Sequence, residues 1–141
     1  MIRRIVTDTA FLSQRSEPAA PFDRTVGQDL LDTLLAFRKN CVGMAANMIG
    51  VRKNIIVFLD ESCKNPTYTV LFNPEILKAE GEFETSESCL SLLGGPRPAR
   101  RFQKIKVRYQ NDAMDWRIKT YSGWTAQIIQ HEIDHCRGIL I

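Results

Sequence analysis

The chain has two histidines, His131 and His135, four residues apart in His131-Glu132-Ile133-Asp134-His135, close to its end. On an α-helix, residues at this spacing are neighbours on one face, so both imidazoles can turn to a single metal ion with Glu132 beside them as a base. A hydrolytic metal centre usually has three protein ligands and leaves a fourth position to water. Metalloproteases with this motif take the third ligand from a downstream Glu or His, and Cys136 to Ile141 contains neither. The third ligand therefore comes from upstream or from another chain. With no other histidine, the upstream candidates are a carboxylate or one of the thiols Cys41, Cys63 and Cys89, since Cys136 directly follows His135 and points elsewhere. Cys89 is the strongest of these. It lies in Glu87-Ser88-Cys89-Leu90-Ser91, close to glycines and prolines, as expected where a strand ends and backbone amides become available to a ligand.

The helix that carries the histidines is expected to open at Ser122 or Gly123 and to close at Gly138. Taking about 100° per residue from His131, Trp124 falls at about 20°, His135 at about 40°, Ile128 at about 60° and Glu132 at about 100°. Trp124 or Ile128 alone reads as core packing. Sharing the arc of the ligands, they are expected to line a hydrophobic substrate pocket.

An earlier helix is expected from about Thr25 to Asn40, where Leu30, Leu31, Leu34, Leu35 and Phe37 form an apolar stripe. The small residues of Cys41 to Gly50 permit close approach of backbone to backbone or ligand. Strands are expected at Ile55 to Leu59, at Tyr68 to Phe72 where Asn73-Pro74 stops the run, at Lys104 to Gln110 and at Trp116 to Tyr121, with Asn111-Asp112 as turn residues between the last two. The expected architecture is α+β, a single domain over residues 1–141, with antiparallel strands packed around a central C-terminal helix that carries the HExxH metal motif.

At 141 residues, with 44% hydrophobic and 25% charged residues, the chain can bury a core of its own. No apolar run approaches the length of a membrane span, and the N-terminal residues lack an apolar signal core, so a cytoplasmic protein without a membrane partner is expected. The four cysteines form no CxxC pair, which suits a reducing compartment. The formal charge of +3 is mild, and much of it lies in Arg97 to Arg108. Lys104, Lys106 and Arg108 alternate with Ile105, Val107 and Tyr109, the pattern of a solvated strand face. Contact of these residues with ribosomal RNA or an acidic partner is the sharper alternative, and no DNA partner is expected.

Gly43-Met44-Ala45-Ala46, Glu87-Ser88-Cys89-Leu90-Ser91 and Gln130-His131-Glu132-Ile133-Asp134-His135 together resemble, in order, the three signature motifs of the peptide deformylases. Asn73-Pro74-Glu75 and Lys104 to Arg108 are similar to intervening sequence of that family, so the likeness runs from about residue 25 to the end. The resemblance implies a metal held by Cys89, His131 and His135, usually Fe2+, with Zn2+, Ni2+ or Co2+ able to occupy the site. It implies Glu132 as acid/base, formylmethionyl nascent peptides as substrate and formate as product. It further implies oxyanion stabilisation by the Leu90 backbone amide and by a glutamine closing the first motif, methionine binding by Trp124 and Ile128, and backbone hydrogen bonds from Val42 and Gly43 to the peptide. Glu87 and Arg101 match charged positions of the family and are expected to pair behind the cysteine loop.

Three positions depart from that pattern. Cys41 and Ser88 stand where glycines are usual, and Met48 occupies the position of the glutamine. A thioether cannot donate a hydrogen bond, so the oxyanion is expected to lose one donor. Two other readings therefore stand beside the deformylase: a deformylase-like protein of low or altered activity, and a non-enzymatic protein that binds metal or nascent chains.

Overall fold

The structure is a computed structural model that describes residues 1–141. Its centre is the run Ile55-Ile56-Val57-Phe58, whose side chains are all buried. A strand with one wet face alternates apolar and polar residues; this run does not, because both its faces are covered. It forms β2 (Ile55–Asp60), with β1 (Gly43–Ala45) on one side and β3 (Thr67–Cys89) on the other. β4 (Leu92–Gln110) and β5 (Trp116–Ser122) complete a five-stranded antiparallel sheet in the order β1-β2-β3-β4-β5.

On one face lies α3 (Gly123–Cys136), which presents Ala126, Ile129, Ile133 and Cys136 to Ile56, Phe58, Leu71, Ile105 and Val107. On the other lies α2 (Arg24–Ala36), whose Leu30 and Leu34 pack with Ile55, Val57, Met48 and Phe72. Each of these large side chains contributes roughly 1.5–3 kcal/mol on burial, so the two layers hold the sheet from both sides. Gly27 allows the close approach of α2, since a Cβ there would lie 2.6 Å from the Phe72 ring. A short helix, α1 (Thr9–Leu12), buries Leu12.

The expected class is observed: α+β, with an antiparallel sheet and a C-terminal helix. Three boundaries differ from expectation. The strand starting near Tyr68 does not stop at Asn73-Pro74. Asn73 adopts a positive φ of 51°, the ladder shifts register between Phe72 and Glu75, and the strand continues to Cys89. The bulge absorbs the proline, and the Asn73 amide ties it to the Ala19 backbone at 2.7 and 3.0 Å. β4 likewise begins at Leu92, well before the expected Lys104. Finally, α2 ends at Ala36, and Phe37 to Asn40 turn so that the chain can enter β1.

The basic run of β4 faces acids on β3. Arg100 lies 3.2 Å from Glu82 and 3.5 Å from Glu84, Lys104 lies 3.6 Å from Glu80, and Arg108 lies 3.9 Å from Glu75. The alternation therefore marks a solvated face with cross-strand pairs. Lys78 and Lys106 stand opposite each other without such a partner.

Candidate metal centre

β3 ends at Cys89, and the next two residues, Leu90 and Ser91, form the turn into β4, closed by the pairing of Cys89 with Leu92. This hairpin end brings the thiol to α3. One ligand atom each from Cys89, His131 and His135 lies within 4.8 Å of the other two. Cys89 Sγ is 3.3 Å from His135 Nε2. Two atoms bound to one tetrahedral ion at ordinary metal–sulfur and metal–nitrogen lengths would stand about 3.5 Å apart, so the donor set fits a single cation. The other thiols are not in the cluster: Cys63 is exposed, Cys136 is buried in the core under α3, and Cys41 donates to the Gly43 carbonyl at 2.8 Å.

Behind the cluster is a buried polar network. Glu87 Oε1 lies 2.9 Å from His131 Nδ1, which leaves Nε2 of that ring free to face an ion. The same carboxylate accepts from Arg101 at 2.7 and 3.0 Å and from Gln127 Nε2 at 2.9 Å. Arg101, only 4% exposed, also donates to Asp134 at 2.7 Å. The expected pairing of Glu87 with Arg101 is present; the parts played by Gln127 and Asp134 were not anticipated. Gln127 stands four residues before His131, a spacing that could have flagged it.

The electrostatics of this pocket treat the two imidazoles differently. Burial acts against a charged His131, but the negative Glu132, followed by Cys89 and Glu87, outweighs it and lifts the imidazole to about 10. Burial and the neighbouring His131 push His135 down to about 3. Burial also works against the Glu87 carboxylate, yet hydrogen bonds from His131, Arg101 and Gln127 bring it down to about 2. A divalent cation held by Cys89 and the two imidazoles would lie close to the Glu87 and Glu132 carboxylates. Burial pushes Glu132 up to about 7, and its Oε1 has no hydrogen-bond partner. Gly43 makes room for this side chain, because a Cβ there would meet Glu132 Oε2 at 2.8 Å and Ile128 at 2.7 Å.

A cavity of about 480 Å³ opens onto the cluster. Val42, Gly43, Leu90, Trp124, Ile128, His131 and Glu132 all line it, as does Cys89. Ile128 is buried, whereas Trp124 is 53% exposed. Arg38 and Lys39 also border the cavity, and no motif or spacing in the sequence marks them as site residues. Met48 is placed differently from the other candidate residues. It is fully buried in the α2-side core, accepts from the Ala45 amide at 3.4 Å through its sulfur, and does not line the cavity. Asn47 also points away, donating to the His135 carbonyl at 2.9 Å.

Comparison with known proteins gives a consistent picture. The model of the family described as polypeptide deformylase matches residues 2–141. A peptide deformylase of Clostridium beijerinckii is 48% identical over 141 residues, covering all of both chains. One of Aquifex aeolicus is 37% identical, over 99% of this chain and 85% of its own. The crystal structure of a peptide deformylase from Legionella pneumophila superposes with a TM-score of 0.86 at 33% identity, covering 99% of this chain and 83% of that one.

Proposed function

The chain belongs to the polypeptide deformylase family, and from this we propose that it is a metal-dependent hydrolase that removes the formyl group from formylmethionyl nascent peptides and releases formate. The observation that carries the reading is the approach of Cys89 Sγ, from a hairpin end, to 3.3 Å from the imidazole of His135 beside His131. We take residues 1–141 to act as one deformylase-like domain.

Cys89, His131 and His135 would hold the ion, and Fe2+ is proposed on the family resemblance, with Zn2+, Ni2+ and Co2+ as alternatives that a thiolate and two imidazoles also accept. Such an ion supplies Lewis acidity to a water molecule and to the formyl carbonyl. Glu87 fixes His131 by accepting from Nδ1. Glu132 takes the proton of the attacking water at its carboxylate and returns it to the departing amine nitrogen; burial that lifts it to about 7 suits a group that must both accept and release a proton near neutral pH. The Leu90 amide is proposed to donate to the oxyanion, Trp124 and Ile128 to receive the methionine side chain, and Val42 and Gly43 to align the peptide as an added strand.

A second reading, low or altered activity, is favoured by one observation: Met48 stands in place of the family glutamine and cannot donate a hydrogen bond. We place the protein in the cytoplasm, where nascent chains are made; no helix is long and apolar enough to cross a membrane. Any ribosome contact would fall to the basic run Arg97 to Arg108, in which Lys106, opposite Lys78, has no carboxylate partner.

The test is formate release from a formyl-Met peptide by protein purified without oxygen, with bound metal measured in parallel. Wild type is expected to release formate. Glu132→Gln is expected to keep its metal and lose at least about 10²-fold in turnover. A metal-loaded wild type without turnover would favour the non-enzymatic reading.

A further inference from the structure

The cavity that opens onto the cluster changes character toward its mouth. Its inner wall contains buried His131, Glu132 and Ile128, while Arg38 and Lys39, in the turn between α2 and β1, are exposed at its edge. Neither cation has a carboxylate within salt-bridge distance, in contrast to Arg100, Lys104 and Arg108 on β4. The two acids that line the cavity offer them nothing: Glu87 is bonded to Arg101, Gln127 and His131, and Glu132 is buried at 4% exposure. The remaining polar groups at the rim, Asn40, Ser86 and Ser88, are neutral. The mouth is thus net positive, with two long flexible cations free to bind.

A peptide whose formyl group lies near Glu132 and whose backbone runs beside Val42 and Gly43 leaves the cavity past the segment that precedes them, Arg38 to Cys41. An extended chain advances about 3.3 Å per residue, so the side chains following the methionine pass within reach of Arg38 and Lys39. We propose that Arg38 and Lys39 determine specificity, favouring formylmethionyl peptides that carry an acidic side chain at the second or third position. This rests on the deformylase reading of the site. Being remote from the reacting carbon, the two cations act on substrate capture, so the preference resides in KM and leaves kcat similar for all peptides.

The experiment compares formyl-Met-Glu-Glu, formyl-Met-Gln-Gln and formyl-Met-Lys-Lys, all amidated at the C-terminus, at low and high salt, with metal-loaded wild type and with Arg38→Gln/Lys39→Gln. Glu and Gln are nearly the same shape, which isolates charge. For wild type at low salt, kcat/KM is expected to be roughly three- to tenfold higher for the Glu peptide than for the Gln peptide, and lowest for the Lys peptide. The Glu-to-Gln ratio should fall toward one in the double variant and at high salt, where exposed charges are screened. Equal kcat/KM for the Glu and Gln peptides in wild type overturns the proposal, and so does a preference that the double variant retains. Turnover of none of the three peptides overturns the deformylase reading itself, and this proposal with it.

Discussion

Cys89 acquires its role from position. Of the four thiols, it alone sits at a hairpin end facing the two imidazoles, and Leu90 in the following turn borders the same cavity. The shared face of His131 and His135, with the Glu132 carboxylate beside them, was readable from residue types because helix geometry fixes which side chains are neighbours, and Cys89 does come within reach of both imidazoles. The surroundings of Met48 were not. The sequence shows a missing donor, whereas the structure places the side chain in the core against which Cys89 and Leu90 also pack. Met48→Gln is therefore expected to do two things. Burying an amide there should cost about 1–3 kcal/mol, seen as a lower Tm. Formate release should stay the same or rise; a large loss of turnover in a variant that remains folded would contradict this account.

Strand and helix boundaries set the precision of the site, and here the sequence was only partly legible. Asn73-Pro74 reads locally as a stop, but tertiary contacts from the Asn73 amide to Ala19 turn it into a bulge, and the strand continues to carry Cys89. Such long-range bonds leave no mark in the local pattern. The same holds for the tie between β3, β4 and α3, in which Glu87 joins Arg101, Gln127 and His131. Neutralising the carboxylate leaves Arg101 buried with Asp134 as its one remaining acid and weakens the hold on the His131 ring, since an amide oxygen is a poorer acceptor than a carboxylate. Glu87→Gln is expected to lower stability by about 3–5 kcal/mol in chemical unfolding, as for a broken buried pair. Metal affinity should fall roughly 10- to 100-fold, measured by chelator competition. Unchanged affinity in the folded variant would show that this carboxylate does not orient the ligand.

At the scale of the whole molecule, the sheet is covered by apolar side chains on both faces, independently of the three ligands. The α+β class could be read from the order of elements, helix, strands, helix, whereas the cover on both faces of β2 emerges only in the structure. That cover predicts that the fold survives metal removal. Chelation should leave far-UV circular dichroism unchanged at room temperature and lower Tm, because an ion that binds only the folded state adds stability by mass action, about 2.7 kcal/mol at a free concentration 100 times its Kd. Unfolding on chelation would mean that the ion, not the core, organises the domain. The account as a whole depends on the first coordination shell, and X-ray absorption at the metal edge of protein purified without oxygen tests it most directly. One sulfur and two imidazole nitrogens per metal ion are predicted, with any remaining ligand an oxygen; a shell containing no sulfur would contradict it.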